Sequence, residues 1–461
     1  MGRSTEFVTG HHDRVTVLHT NFNGTRILTA SIDHRIKVWQ RDPKTGERTL
    51  IDTFTAHDAD IRDAKFLHPT LGSHIASIGN DLKFHLWTED VSQAPNSGRR
   101  FRRTSTIPST PRVPFVSMDL KTVDNIYTTL ALIDRQGLLS IYEPTSPDDL
   151  KDWTLVDTFN VCGSSPPTRG DETSFKVRFD PNPTPLAYMN SLSDDRGQLS
   201  LVVSVLNEFK IYRSVVPGGD SSSTSSGVGA NDGASHRVMF FEAARSRRHP
   251  ALIRDVAWAP FSVRGTDRVV TACKDGTVRV FELAVTEAPE RGSTAAATNT
   301  TVTDVAAPGS AVQNASTRRQ QPQQQQQQQQ PQQHYQSSLT TGLIGRNSGA
   351  GNPSAASASA STASRAARTG HAFPFQTNVQ SSTALDDAHT DAWSVSFDGQ
   401  GQVLMSSGSD GVTKFWRKSV QDGRWLLFAG QEVLDTDADT DGDDLDGDDD
   451  DDDHDDGDDV D

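Results

Sequence analysis

The sequence is poor in several features that would assign it to a particular class of protein. It has two cysteines in 461 residues, Cys162 and Cys273, which excludes a disulfide scaffold and fits a reducing compartment. No stretch approaches the roughly 18 apolar residues of a membrane span, and the opening MGRSTEFV lacks the apolar run of a secretory signal. Apolar residues make up only 34%, so we expect a folded part diluted by segments that do not pack.

A net positive charge is also lacking. The formal net charge is -17, and 18 aspartates lie in Asp435–Asp461 without any Lys or Arg, so the rest of the chain is close to neutral. Such a chain has no broad basic surface, and we expect no direct contact with nucleic acid. The tail is predicted to be a solvated acidic segment. A calcium loop starting at Asp437 is disfavoured because Asp448 stands where a bidentate Glu is needed.

The chain does contain one sequence pattern in four copies. TASIDHRIKVW, SIGNDLKFHLW, TACKDGTVRVF and SSGSDGVTKFW each place an Asp six residues before an aromatic residue. A His precedes the first of three short β-rich stretches in each copy, and the Asp lies in a tight turn before the third. We interpret these side chains as a hydrogen-bonded structural network: His12, Asp33, Trp39, His57, Asp81, Trp87, His249, Asp275, Phe281, His389, Asp410 and Trp416.

Two weaker copies end at Tyr142 and Tyr212, which gives six units. Repeated units of this kind predict an all-β fold, a β-propeller whose blades are four-stranded antiparallel sheets. The number of residues alone would allow a seventh blade, but only six terminal strands can be found. The predicted organisation is blades 1–5 in 7–285, a disordered Gln/Ala/Ser-rich insertion in 286–385 between the fifth and sixth blades, blade 6 in 386–432 and the acidic tail in 433–461.

Chemistry-bearing motifs are few. His12, Ser31 and Asp33 could be drawn as a nucleophilic triad, but an enzyme needs one such set rather than a copy in each unit. We therefore expect no enzymatic activity, no cofactor and no metal. The basic run Gly98–Arg103 is interpreted as a solvated loop.

A His before the first strand and a Trp closing the third resemble the WD-repeat family. HDRVTVLHTNFNGTRILTASIDHRIKVW, LLSIYEPTSPDDLKDWTLVDTF, IRDVAWAP with ACKDGTVRVFEL, and DAWSVSFDGQGQVLMSSGSDG together resemble the Seh-type nucleoporins. That group consists of WD-repeat subunits of the nuclear pore Y-complex, related to a propeller of the COPII vesicle coat. The resemblance covers most of residues 7–285 and 386–430, but not the Gln-rich insertion or the tail.

The resemblance implies an open six-bladed propeller that an α-solenoid nucleoporin completes with a β-blade of its own. Unpaired strand edges beside the gap would bind that partner, and the resemblance places them near Phe7, Val8, Trp425 and Phe428. It also implies two locations. One is the nuclear pore at the nuclear envelope, in protein and mRNA transport. The other is the vacuolar membrane periphery, in a SEA (GATOR-type) complex that regulates TORC signalling.

Two other binding functions stay open at this stage. The first is a COPII-type coat propeller, which also accepts a partner's blade. The second is a peptide-reading WD-repeat adaptor, which would be a closed ring and stable without a partner.

Overall fold

The computed structural model describes residues 7–168, 170–182, 198–215, 238–260, 266–287 and 375–432. These residues form strands and loops with a single 3₁₀ turn, Pro69–Leu71, and no helix among them is long and apolar enough to cross a membrane. The acidic tail, the poly-Gln tract and the Gly/Ser-rich stretch 216–235 lie outside the described residues.

The strands form six sheets of four antiparallel strands, each consecutive along the chain, as the repeat pattern predicts. This confirms the all-β propeller of six blades.

Blade 1 contains β1 (Val15–Thr20), β2 (Arg26–Ser31), β3 (Arg35–Arg41) and β4 (Arg48–Thr55). Blade 2 contains β5 (Ile61–Phe66), β6 (His74–Gly79), β7 (Lys83–Glu89) and β8 (Phe101–Pro108). Blade 3 contains β9 (Phe115–Val123), β10 (Tyr127–Asp134), β11 (Leu138–Ser146) and β12 (Asp149–Asn160). Blade 4 contains β13 (Phe175–Phe179), β14 (Ser200–Val205), β15 (Glu208–Val215) and β16 (Met239–Arg245). Blade 5 contains β17 (Ile253–Trp258), β18 (Thr266–Cys273), β19 (Val278–Glu287) and β20 (Phe375–Leu385). Blade 6 contains β21 (Ala392–Phe397), β22 (Val403–Gly408), β23 (Val412–Lys418) and β24 (Trp425–Glu432).

Blade 5 corrects the predicted place of the long insertion. Its fourth strand, β20, pairs with β19 although the whole stretch 288–374 separates them along the chain, so the insertion joins two strands of one blade rather than two blades. The shorter stretch 216–235 lies at the same point of blade 4, between β15 and β16. A long loop at this point costs little because closure entropy grows only logarithmically with loop length.

The tight turn between the second and third strands has a fixed backbone requirement. The residue after the network Asp has a left-handed φ in the four copies: 67° at His34 and Leu82, 82° at Gly276 and 68° at Gly411. At Gly276 no other residue fits, because a Cβ would lie 2.0 Å from the backbone oxygen of His389 in the next blade.

Five buried apolar clusters hold the blades together, one between each pair of blades that are consecutive in the chain. The innermost strands of those pairs also lie in close contact. In the part of the chain that the structure describes, no comparable cluster or packing joins blade 6 to blade 1. The propeller is therefore open at this position.

A group of charges near the innermost strands links several blades, including blades 2 and 4, which are not neighbours. Arg178 of blade 4 lies 3.9 Å from an oxygen of Asp63 in blade 2 and 3.7 Å from one of Asp255 in blade 5. Burial lowers the pKa of Arg178, but the carboxylates outweigh burial and hold the pKa above its ordinary value. Lys65 and Asp119 form a further pair, 2.8 Å apart, between blades 2 and 3. The Arg178–Asp63 contact thus joins blades 2 and 4, and the other two contacts join neighbouring blades.

Candidate protein-binding site

The repeated side chains form a network that is clearest in blade 2. The indole N–H of Trp87 donates to Ser77 Oγ at 3.0 Å, and Ser77 Oγ lies 2.8 Å from His57 Nε2. His57 Nδ1 lies 2.9 Å from Asp81 Oδ1, and Asp81 also accepts from the backbone N–H of Asp58. Burial would raise the pKa of Asp81, but the His57 hydrogen bond outweighs it and the pKa lies below its usual value.

Blade 6 repeats this geometry. Trp416 donates to Ser406 at 2.8 Å, Ser406 contacts His389 at 2.9 Å, and His389 contacts Asp410 at 3.0 Å. Blade 5 departs from it, because Phe281 has no N–H to donate and Asp275 accepts from Thr277 in its own turn. In blade 5, His249 contacts Thr271 and the backbone oxygen of Asn207 instead.

Blade 1 has the same network, but the predicted histidine is wrong by one residue. His11 contacts Asp33 at 2.8 Å and Thr29 at 3.0 Å, and Trp39 donates to Thr29 at 3.1 Å. His12 contributes only its backbone N–H, which donates to Asp33. Two adjacent histidines fit the sequence pattern equally well, and only the direction of the chain before β1 decides between them.

The network contains the elements of a nucleophilic triad, but its hydroxyls are structural. Ser77 is completely buried and accepts the Trp87 N–H, so no substrate reaches it. The alternative set of His12, Ser31 and Asp33, which the sequence already disfavoured as a triad, does not form, since Ser31 Oγ donates to the backbone oxygen of Asp13 and His12 contributes only its backbone N–H.

The network lies on the blade face that packs against the preceding blade. Trp87 of blade 2 joins the cluster with blade 1, and Trp416 of blade 6 joins the cluster with blade 5. In blade 1 the same face is turned toward the gap and no blade covers it. There Phe7 packs edge-on against Trp39 with ring centroids 5.3 Å apart, Arg48 stacks over Phe7, and Leu18 is 63% exposed.

Blade 6 borders the gap with its opposite face. Strand alternation puts Phe415 on the face away from Trp416, and the Phe415 ring packs against Phe428, which is 62% exposed. Leu426, on the same outer strand, is 51% exposed. Exposed apolar side chains thus lie on both walls of the gap, and such patches mark protein-binding surfaces. We call these two walls the gap faces: on blade 1 the exposed Leu18 together with Ile27 and Trp39, which are only 7% and 8% exposed, and on blade 6 Phe415, Leu426 and Phe428.

The structure corrects the predicted strand edges. Trp425 is buried in the cluster with blade 5, and Phe7 and Val8 precede β1 outside any strand. Of the four, Phe428 lies on the gap face of blade 6 and Phe7 covers Trp39 on the gap face of blade 1, while Val8 is 90% exposed. Because each blade already has four strands, the gap is bordered by side-chain faces rather than by unpaired backbone. The missed residues, Leu18 and Phe415, could have been found as apolar positions in strands that have no following or preceding blade.

The basic run Gly98–Arg103 is also not a free loop. Arg100 donates to Glu89 at 2.7 Å, Arg26 of blade 1 contacts the same carboxylate at 2.5 Å, and Phe101 opens β8. These contacts use part of the basic charge within the fold.

Comparisons with known proteins agree with the fold. A model of the WD domain, G-beta repeat, matches residues 2–40, 244–282 and 380–417, which cover blades 1, 5 and 6 in part. Nucleoporin SEH1 of Chaetomium thermophilum is 29% identical over 92% of this chain and 94% of its own length. Nucleoporin SEH1 of Saccharomyces cerevisiae is 26% identical over 89% of this chain and 94% of its own length. Nucleoporin seh1 of Schizosaccharomyces pombe is 24% identical over 61% of this chain and 72% of its own length. The chain therefore contains WD, G-beta repeats in three of its blades and is similar along most of its length to the SEH1 nucleoporins.

Proposed function

We propose that this protein is a non-enzymatic scaffold subunit of the nuclear pore complex, and that its partner fills the gap between blades 1 and 6. The observation that carries the binding mode is the count of five apolar clusters for six blades. The similarity to SEH1 nucleoporins along nearly the whole chain supports the location at the nuclear pore.

The chemistry of the gap faces defines what fits between them. Each wall is the side of a four-stranded sheet and exposes apolar side chains, Leu18 on blade 1 and Leu426 and Phe428 on blade 6. A sheet packs on another sheet about 10 Å away, so a partner's β-sheet fits better than a helix or a single extended peptide. Burial of exposed Leu and Phe side chains contributes about 1.5–3 kcal/mol each, before the entropy of association is subtracted.

The finer proposals rest on the resemblance described above. The partner would be an α-solenoid nucleoporin of the Y-complex that contributes a β-blade, and the assembly would support protein and mRNA transport. The resemblance likewise supports membership of a SEA (GATOR-type) complex upstream of TORC signalling, through the same gap.

The test is affinity purification of the tagged chain from its own cells, with mass spectrometry of the proteins recovered. The wild type should recover nucleoporins, and the Leu18→Arg/Phe428→Arg double variant should lose the partner that fills the gap. Val91→Arg is the matched control because Val91 is 74% exposed on a loop of blade 2, and it should recover the same proteins as the wild type. Recovery of SEA subunits would extend the assignment, and recovery of coat or ligase subunits alone would overturn it.

A further inference from the structure

Blade 2 differs from the other network blades at one position in its third strand. Two residues before the closing aromatic, blades 1, 5 and 6 have the cations Lys37, Arg279 and Lys414, whereas blade 2 has His85. Lys414 uses its ammonium to cap the loop before its blade, donating to the backbone oxygen of Asp387 at 2.7 Å. His85 cannot reach as far, and an imidazole stands in place of an ammonium.

The substitution brings a second imidazole beside the network pair. His85 Nε2 lies 4.0 Å from Asp81 Oδ2, and His57 Nδ1 lies 2.9 Å from Asp81 Oδ1. The two imidazole rings are 4.7 Å apart between centroids, and both histidines are 2% exposed. One donor atom from each of the three side chains lies within 4.8 Å of the others. Among the described residues, this is the one group of three such side chains that converges in this way.

We propose that His57, Asp81 and His85 bind a transition-metal ion, Zn²⁺ in particular, with solvent as the fourth ligand. Two imidazoles and one carboxylate form a donor set that suits Zn²⁺. With bonds of about 2.0–2.2 Å, ligand atoms around tetrahedral Zn²⁺ are about 3.3 Å apart. The distance from Asp81 to His57 Nδ1 is 2.9 Å and that to His85 Nε2 is 4.0 Å, one below and one above this value. Small side-chain rotations therefore suffice to close the site around the ion.

The second nitrogen of each ring is already held by a partner. His85 Nδ1 lies 2.9 Å from Thr106 Oγ1, and His57 Nε2 lies 2.8 Å from Ser77 Oγ. Contacts of this kind orient a ligand ring and fix its tautomer.

The surrounding charges determine how strongly we expect the site to bind a metal ion. Arg103 and Lys83 add positive charge near the site, although Lys83 also contacts Asp58 at 3.1 Å. We therefore expect an affinity below that of closed four-ligand zinc sites. Bound metal would connect the start of blade 2 to its second tight turn, where Leu82 has a left-handed φ of 67°, and would stiffen the junction with blade 1.

The test compares the full-length wild type with His85→Lys after removal of metal by a chelator. His85→Lys is the matched control because blades 1 and 6 fold with Lys at this position; His85→Gln is measured alongside it in case the longer side chain does not fit. Co²⁺ is titrated as the probe and the visible absorption is recorded, and melting is followed with and without Zn²⁺. All three proteins retain the acidic tail, whose oxygen ligands favour octahedral Co²⁺ with weak absorption.

The proposal predicts an intense tetrahedral Co²⁺ spectrum at one ion per chain, and a higher melting temperature with Zn²⁺, in the wild type only. Both signals should be lost in His85→Lys and His85→Gln, while their melting without metal stays close to that of the wild type. Equal spectra and equal Zn²⁺ effects in all three proteins, or no intense spectrum in the wild type, would overturn the site and leave the three residues a structural network only.

Discussion

Blades 1 and 2 have the same network on the same face, but only one of these faces is covered by another blade. Trp87 donates to Ser77, and its ring packs 4.9 Å from Phe54 of blade 1 within a buried cluster. Trp39 donates to Thr29 in the same way, yet the ring that covers it is Phe7, from the segment before β1. The repeat therefore determines the structure of a blade, and the neighbour determines how much apolar surface the blade buries. The face without a neighbour is where a partner can bind.

The largest expected effect on the free energy of unfolding is the difference between substituting Trp87 and substituting Trp39. Trp87→Ala should lower the free energy of unfolding by about 3–5 kcal/mol, because it removes a ring buried between two blades and leaves a cavity. Trp39 is about as buried as Trp87, 8% against 7% exposed, but Trp39→Ala should cost less in the free chain because the ring that covers it, Phe7, belongs to a segment before β1 rather than to a packed blade. Urea unfolding of the two variants measures the difference. Equal costs would mean that the face of blade 1 is as well packed as an internal interface.

A second contrast concerns two glycines with left-handed φ. Gly276→Ala should cost at least about 2–3 kcal/mol, because the new Cβ collides with the His389 carbonyl between blades 5 and 6. Gly24 has a φ of 69° in a turn where a Cβ would meet nothing within 4 Å, so Gly24→Ala should cost only about 1 kcal/mol. Thermal melting of both variants is the measurement, and a similar loss in the two would show that blades 5 and 6 do not meet as described.

The pH dependence of the free energy of unfolding should report on the packed interfaces between blades. Burial, with Arg279 nearby, lowers the pKa of His249 to about 4, against about 6.5 in an unfolded chain. Between these values the unfolded chain binds a proton that the folded protein does not, so stability is present above about pH 6.5 and is lost as the pH falls toward 4. We expect a contribution on the order of 1–3 kcal/mol. His249→Gln should flatten the slope of unfolding free energy in this window, and an unchanged slope would contradict the assignment.

The smallest effect belongs to the gap faces in the free protein. Leu18→Ser should change the free energy of unfolding by less than about 0.5 kcal/mol, because a side chain that is 63% exposed buries little when the chain is alone. Denaturant unfolding of the free chain checks this value. A loss as large as that of a buried leucine, about 2 kcal/mol or more, would show that Leu18 is already covered in the folded monomer.

Much of the fold could be predicted because it is encoded locally. The Asp-to-aromatic spacing predicts the tight turn and third strand, and these recur in blades 1, 2, 5 and 6. The strand β20 could not be recognised, because FQTNVQSSTAL lacks an apolar pattern and pairs with a strand on the far side of the long insertion. Its pairing depends on the tertiary structure, which no short window of sequence contains.

The candidate sites depended on distant neighbours and were harder to predict. The gap faces exist because blade 1 has no preceding blade and blade 6 has no following blade in the chain. They can therefore be recognised only once the blades have been placed in three dimensions. Asp81 and His85 are four residues apart, in a turn and the strand after it, but His57 lies 24 residues before Asp81, and the three have no recognised metal-binding spacing. Only the fold brings these side chains within reach of one another.

The central claim is that the ring is open between blades 1 and 6, and distances between spin labels test it most directly. Arg35, Lys83 and Val412 open the third strand, two residues after the network Asp, in blades 1, 2 and 6, so they are matched positions for labelled cysteines once Cys162 and Cys273 are replaced by alanine. Sheets in contact lie about 10 Å apart, and a missing blade roughly doubles that spacing. The open propeller predicts a distance of about 10 Å for the pair at 35 and 83 and of about 20 Å for the pair at 35 and 412. Two equal short distances would mean a closed ring and would contradict the account.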